Sequence, residues 1–495
     1  MLTLLVVVPL VSTLVCLRAP HRVAAAVTAL TGVLTFGAAV ALVPVTAQHT
    51  VSALRYLRAD ALSVIFLLGT CFLYAAVGVY SIGYLADEER SVRAASPQRQ
   101  ALFSRHSTRF YLGLNAFAWS MICAPLVNGL ALLWIAVEIT TVVSALLVAL
   151  DSTEGATEAA WKYVLIASSG LGIALLATIF MYYAGAQVLG QSYDLAFDPL
   201  IDAGSRLPQT PVRLAFGLAV VGFGTKVGLF PVHTWLPDAH AEAPTPVSAL
   251  LSGSLLAVSF YAILRYYQIS VRALGTYFPQ TVLLVFGVPS LLLAALYLLE
   301  QHNIKRLLAY SSVEHMGILA IGVSFGAPIA LSGVLLHVLA HAAAKGNAFM
   351  GAGVLVRKFG TKDLNRMADG MAVLPWSGPL FLVAVLALSA LPPFGLFRSE
   401  FQIIAGGFAD ARNGATAMLV CLVTLAFLGL SLATTRVLFR PNHSGAAVAR
   451  GEPSRWMVSP VVAGVLVLVL LGLVPPPDLV ALLDRGVAEL VVIAP

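Results

Sequence analysis

Apolar residues along this chain fall in long blocks, not in alternation. Fourteen stretches stand out, at 2–17, 23–46, 62–84, 110–128, 130–150, 162–184, 212–231, 246–268, 278–299, 307–325, 328–356, 376–406, 415–438 and 457–474. Most are near the roughly 20 residues that cross about 30 Å of hydrocarbon as a helix. Strands of a transmembrane barrel would alternate apolar and polar positions over segments of about ten residues. The pattern predicts an all-α polytopic membrane protein with one transmembrane helix per block, forming a single membrane domain over residues 1–495. The seventh and twelfth blocks are interrupted, one by Gly222, Gly224, Gly228 and Pro231, the other by Pro392, Pro393 and Gly395. Proline removes a backbone donor and cannot continue a helix, so both blocks are read as broken helices. The longest polar connection, Ala86–Arg109, is too short for a domain of its own. Met1–Leu17 has no basic leader and is read as the first helix, not as a removable signal.

Composition then narrows the class. The 495 residues are 59% hydrophobic and 11% charged, with a mean hydropathy of +0.91. A soluble domain could not hide that much apolar surface. The net charge of +6 lies in the connections, without the basic, aromatic-interleaved face that nucleic acid would require. Lys and Arg crowd the connections after odd-numbered helices, among them Arg18, Arg22, Arg90, Arg99, Arg109, Lys305, Arg306, Arg357, Lys362 and Arg436. The opposite connections hold far fewer. That asymmetry predicts odd connections in the cytoplasm and both termini outside, in the cell's plasma (inner) membrane. Cys16, Cys71, Cys123 and Cys421 all lie inside apolar blocks and form no CxxC pair, so they are read as small buried hydrophobes. No nucleotide-binding or redox motif occurs. No cofactor, metal or catalytic centre is expected of the chain itself, and its energy must come from an ion gradient or a partner.

Against that background, charges inside the blocks carry the chemistry. An ionisable side chain at the bilayer centre costs about 2.5–3.5 kcal/mol on insertion scales, so each marks a functional hypothesis. Glu138 sits in ALLWIAVEITTVVSALLVAL, with Thr140, Thr141 and Ser144 as a polar seam. Lys226 sits in FGTKVGLFPVHTW, at the first helix break, where freed backbone groups admit water. His337, His341 and Lys345 are spaced by four, which puts them on one helix face. Two His so spaced can bind metal, but no carboxylate or cysteine stands beside them in sequence, and a hydrogen-bonded proton relay is preferred. His315, beside Glu314, is read as extending that relay. Glu400, just past the second break and near Arg398, is read as a terminal carboxylate of the path, with an interfacial salt bridge as its rival. Asp238, His240 and Glu242 fall in the connection between the seventh and eighth helices, where water is expected. Two breaks, each carrying an ionisable residue, point to two related halves of inverted topology.

At these residues the chain resembles the antiporter-like subunits of respiratory complex I, multisubunit Mrp-type Na⁺/H⁺ antiporters and group 4 hydrogenases. The segments FGTKVGLFPVHTWLPDAHAEAPTPVSALLSG, NIKRLLAYSSVEHMG, HVLAHAAAKGNAF and LPPFGLFRSEF carry the resemblance, and VEITTVVSALLV with AYSSVEHMG looks closest to the hydrogenase-4 F subunit type. The resemblance implies two inverted five-helix repeats, helices 4–8 (110–268) and 9–13 (278–438). It implies that Glu138 and Lys226 form a pair, that Lys345 lies on the path in the second half and that Glu400 takes its end. It implies partner subunits carrying iron–sulfur and nickel–iron centres, with protons as the transported ion and sodium left open. Many relatives carry a Lys or His in the eighth helix where this chain has Ala257, so the centre of the relay falls to water or to His337 and His341. The rival readings are an Mrp-type antiporter subunit without redox chemistry and a structural membrane anchor whose charges are static ion pairs.

Overall fold

The computed structural model describes residues 1–93, 96–441 and 448–491. Helices α1 (Leu2–Cys16) and α2 (His21–Thr46) precede a small antiparallel hairpin, β1 (Val51–Ala53) with β2 (Leu57–Ala59). There follow α3 (Ala61–Arg93), α4 (Pro97–Cys123), α5 (Leu130–Val148), α6 (Glu154–Leu189), the short α7 (Phe197–Ala203), α8 (Gln209–Val227) and α9 (Trp235–Glu242). Next, α10 (Thr245–Leu250) runs through a π-helical turn, Leu251–Leu255, into α11 (Leu256–Leu274). The second part holds α12 (Tyr277–Leu298), α13 (Ile304–Phe325), α14 (Pro328–Phe359), α15 (Gly370–Val373), α16 (Ser377–Leu388), α17 (Gly395–Ala409), α18 (Asn413–Phe439), α19 (Arg455–Leu473) and α20 (Pro477–Leu490).

Among the described residues, ten helices are long and apolar enough to cross a membrane, α10 and α11 counting as one. The four other expected spans fall on α1, α4, α8 with α9, and α16 with α17. Each has a reason to miss the length or hydropathy of a plain span. α1 has only 15 residues, α4 carries Arg99, Arg105 and Arg109 in its first half, and the other two are the broken helices. α8 stops where Gly228 adopts φ 85°, the left-handed conformation glycine reaches without a steric penalty. α16 and α17 are parted at Leu391–Phe394, the Pro392–Pro393 segment.

The ionisable side chains of the spans point inward, while apolar side chains fill the rest of the interior and also cover the outer faces. Lys226, His315, His337, His341 and Lys345 are fully buried, while Leu146 is 70% exposed. A charge facing hydrocarbon is the costlier arrangement, so helices carrying ionisable groups collect at the centre. The most apolar stretch of α10–α11 is 100% buried, against 33% for α18 and for α19. α14 is the central post, packed against α3, α13, α16, α17 and α19. With no hydrophobic drive between helices in lipid, tight packing relies on small residues. Gly222 of α8 shows it: a Cβ there would sit 2.5 Å from the Ala174 amide nitrogen of α6.

Several expectations need correcting. The connection Ala86–Arg109 is mostly helical, because α3 and α4 run beyond the apolar stretch; Glu, Arg, Gln and Ala propagate helices without being apolar. The hairpin and α20 have no counterpart among the apolar blocks. Of the cysteines, Cys16 and Cys71 are buried, but Cys421 is exposed and Cys123 only half-buried. α18, which carries Cys421, faces outward along much of its length.

Candidate ion path

Three clusters of ionisable residues, most of them buried, bring together the candidate path residues. The first joins α5, α6 and α8. Lys226 lies in the last turn of α8, where the negative end of the helix dipole favours a cation. Its Nζ donates to the Val137 carbonyl (2.9 Å) and to the Thr141 hydroxyl, both on α5. Glu138, between those two positions, accepts from the Ser168 hydroxyl of α6 at 3.3 Å through Oε1. Its Oε2 is buried with no protein partner. The expected Glu138–Lys226 pairing is therefore indirect: Lys226 of α8 bonds to the Val137 carbonyl and the Thr141 hydroxyl that flank Glu138 on α5.

The second cluster repeats the motif on α13 and α14. Lys345 Nζ donates to the Leu308 carbonyl (3.0 Å) and to the Ser311 hydroxyl. Glu314 follows Ser311 by three residues, is buried, and has Oε2 unpartnered. Each lysine thus grips a carbonyl and a hydroxyl of the facing helix, with a carboxylate on that same helix. The sequence reading named Glu314 only as a neighbour of His315. A lone carboxylate within an apolar block, the signal used for Glu138, would have found it.

The third cluster joins α13, α14 and α17. His315 Nδ1 lies 3.1 Å from His337 Nε2, and His337 Nδ1 lies 3.0 Å from the Ser399 hydroxyl. That hydroxyl donates to the Leu396 carbonyl at 2.9 Å. A hydroxyl has one proton, so it accepts from His337, whose neutral form then carries its proton on Nδ1 and a lone pair on Nε2. Glu400 Oε1 lies 3.9 Å from His315 Nδ1, so this carboxylate turns to the histidines. His341 stands edge-on to His315, with ring centres 5.1 Å apart. Both its nitrogens are buried without a protein partner.

A hydroxyl contact leads toward the Lys345 cluster. Ser252, in the π-helical turn, meets Ser312 of α13 at 2.7 Å. Ser312 also donates to the Leu308 carbonyl that receives Lys345. This link stands close to Ala257, the eighth-span position where no basic residue occurs. Two polar residues expected in water lie inside instead. His240 of α9 is fully buried, its ring 6.0 Å from Phe349 of α14. Lys305 is buried and donates to the Ala243 carbonyl, tying α13 to the turn before α10. The helix break folds α9 back into the bundle, which withdraws His240 from solvent. Asp238 stays half-exposed and pairs with Lys162 (3.3 Å) and with Arg306, and Glu242 pairs with Lys362 at 3.0 Å.

Sequence reasoning missed a separate ionic knot at one end of the bundle. The Arg265 guanidinium, fully buried, donates to Asp60 Oδ1 (2.6 Å), Ser63 (3.0 Å), Tyr261 (2.9 Å) and Gln268 (2.9 Å). Arg58 also pairs with Asp60 and reaches Asp198 at 2.6 Å. Burial alone would raise the Asp60 pKa, but the Arg265 and Arg58 guanidiniums outweigh it and hold its carboxyl well below the usual carboxylate range. Glu489 of α20 closes the knot, accepting from the Ala61 and Leu62 amides at 3.2 and 3.1 Å. Its carboxyl is pushed up to about 7, chiefly by burial and then by the nearby Asp60.

Helices broken at mid-span with ionisable residues strung between them define a class, the antiporter-like membrane subunits. Residues 127–429 match the family described as NADH:quinone oxidoreductase/Mrp antiporter, transmembrane. The chain belongs to this family. It is 33% identical over 426 residues to a hydrogenase-4 component F homolog of Methylacidiphilum infernorum (isolate V4), covering 85% of this chain and 86% of the relative. Its fold matches a chain in the structure of the Mrp complex from Dietzia sp. DQ12-45-1b with a TM-score of 0.84 at 20% identity, over 99% of this chain and 97% of that one. It also matches a chain of respiratory complex I from Thermus thermophilus with bound NADH, with a TM-score of 0.80 at 22% identity, over 99% and 100%. The chain is an antiporter-like, multi-pass membrane subunit, and its relatives are subunits of larger membrane complexes.

Proposed function

We propose that the chain conducts protons across the plasma (inner) membrane as one subunit of a redox-driven complex of the hydrogenase-4 type, with both termini outside. The carrying observation is the repeated motif of a buried lysine held by a carbonyl and a hydroxyl beside a carboxylate, Lys226–Val137–Thr141–Glu138 and Lys345–Leu308–Ser311–Glu314. A lysine so placed can lose its proton when its carboxylate partner is remote and regain it when the partner is near. The interacting sites then titrate as one system. Glu138, Lys226, Lys345, His315, His337, His341 and Glu400 form the path. Buried polar atoms require partners, so water serves the unpartnered oxygens of Glu138 and Glu314 and the nitrogens of His341. The regions 110–268 and 278–438 are taken as the two inverted repeats, each built around one lysine motif.

The chain's own buried residues supply proton-path chemistry. Electron transfer in this reading belongs to iron–sulfur and nickel–iron partner subunits, as the similarity to a hydrogenase-4 component supports. The test is proton flux in vesicles containing the intact complex, comparing wild type with Lys226→Ala and Glu138→Gln. Loss of electron-donor-driven flux in both is the expected outcome, and unchanged flux in both rejects the path. Flux that ignores the electron donor but follows a sodium gradient would move the chain to the Mrp-type antiporters.

A further inference from the structure

We infer that His315, His337 and Glu400, with His341 beside them, form a transition-metal site of the Zn²⁺ class within the bilayer. The sequence offered only the His337/His341 pair, without a carboxylate. The fold adds one from α17 and a third imidazole from α13. The donor atoms of His315, His337 and Glu400 all lie within 4.8 Å of one another. Zinc bound by nitrogen at about 2.0–2.1 Å in tetrahedral geometry sets its ligands about 3.3 Å apart. The observed His315 Nδ1–His337 Nε2 distance of 3.1 Å and His315 Nδ1–Glu400 Oε1 distance of 3.9 Å straddle that value, and the whole donor set, within 4.8 Å, closes on an ion by small side-chain shifts.

The tautomers support the same reading. Ser399 spends its proton on the Leu396 carbonyl and fixes the His337 proton on Nδ1. His337 Nε2 therefore offers a lone pair toward the cluster. A histidine ligand whose other ring nitrogen donates to an oxygen is the usual outer-shell arrangement of a zinc site. His315 Nε2 is buried without a protein partner, so that nitrogen can take the proton when Nδ1 turns to the metal. His341, fully buried with both nitrogens unpartnered, is placed to supply the fourth ligand after a ring rotation. Glu400 offsets one of the two positive charges, and three imidazoles suit zinc better than magnesium or calcium, which take oxygen ligands. The Glu400 side chain keeps 7% exposure, while His315 has none.

A metal held there occupies the lone pairs a proton must use, so zinc should block flux. That consequence rests on the proton-path reading; metal binding does not. The experiment has two arms on the intact complex. In the first, complex stripped with chelator is titrated with Co²⁺, read by visible absorption, and with Zn²⁺, read by metal analysis. The expected result is one saturable ion at this site with the intense absorption of tetrahedral cobalt, lost in His337→Ala and in Glu400→Gln, and kept in His49→Ala, a variant at an exposed position. Thermal melts and complex assembly confirm that the variants are folded. If a variant fails to assemble, His341→Gln takes its place and is expected to weaken cobalt binding and shift its spectrum. No saturable ion, or equal binding in wild type and both cluster variants, overturns the site. In the second arm, Zn²⁺ is added to vesicles during donor-driven flux. Inhibition that tracks occupancy supports both readings; full occupancy with undiminished flux keeps the metal site and removes these histidines from the path.

Discussion

At the scale of single residues, the lysines are the most informative positions, because their heads are held by so few groups. Lys226 and Lys345 each make one bond to a carbonyl and one to a hydroxyl. The carbonyls cannot be removed by substitution, but the hydroxyls can. A hydrogen bond to a charged group contributes about 1.5–3 kcal/mol, so Thr141→Val and Ser311→Ala should each lower proton flux by roughly tenfold or more while leaving assembly intact. Flux in vesicles together with a thermal melt checks this, and a melt that falls in step with flux would mean the hydroxyls are merely structural. Arg265 is a different kind of buried charge, with four hydrogen bonds made by its guanidinium. Removing its partner by Asp60→Asn leaves a guanidinium uncompensated, at a cost of roughly 3–5 kcal/mol. A clear fall in the melting temperature, partly restored in Asp60→Asn/Arg265→Met, is the expected outcome. Sequence reasoning found Lys226 and Lys345 but not this knot. Asp60 and Arg265 lie near the ends of apolar blocks, where a charge looks solvated; only tertiary packing buries both.

At the scale of elements, the spans and both helix breaks were legible, because a run of apolar residues and a Gly or Pro interruption are local properties. What was not legible depends on partners in space. α20 is amphipathic and too short to span, and its place is fixed by Glu489 reaching the first amides of α3. That contact should depend on pH. The Glu489 carboxyl is pushed up to about 7, chiefly by burial, from an ordinary value of about 4.3. A raised acid favours docking while it is protonated: the stabilisation is complete below the ordinary value and is lost as pH rises through about 7. A spin label at exposed Ala488 should therefore be less mobile at acidic pH than at alkaline pH, and Glu489→Gln should abolish the difference. Mobility that is flat with pH in the wild type would refute it. Gly222 tests packing between elements: a leucine side chain would press on the α6 backbone at Ala174, so Gly222→Leu should part α6 from α8 and cost both stability and flux, seen in a melt and a vesicle assay.

At the scale of the whole molecule, the order of the clusters matters more than their number. The family resemblance paired Glu138 with Lys226, and spacing grouped His337, His341 and Lys345, since residues four apart share a helix face. It could not show that Ser252 and Ser312 touch, because that contact joins residues sixty positions apart through a π-helical turn no local pattern announces. The contact binds α10–α11 to α13 and, through the Leu308 carbonyl, to Lys345. If protons pass from the Lys226 cluster to the Lys345 cluster along one line, the two lysines act in series. Lys226→Met, Lys345→Met and the double variant should then lose flux to the same extent, because a series path fails at its first gap. Two independent paths would instead leave partial flux in each single variant and none in the double. On a series path the Ser252 hydroxyl, which reaches the Lys345 cluster through Ser312, serves as an intermediate step, so Ser252→Ala should slow flux although it carries no charge and touches neither lysine. Measured side by side in vesicles of the intact complex, additive losses in the lysine variants, or a Ser252→Ala complex running at the wild-type rate, would separate the two halves into parallel conductors.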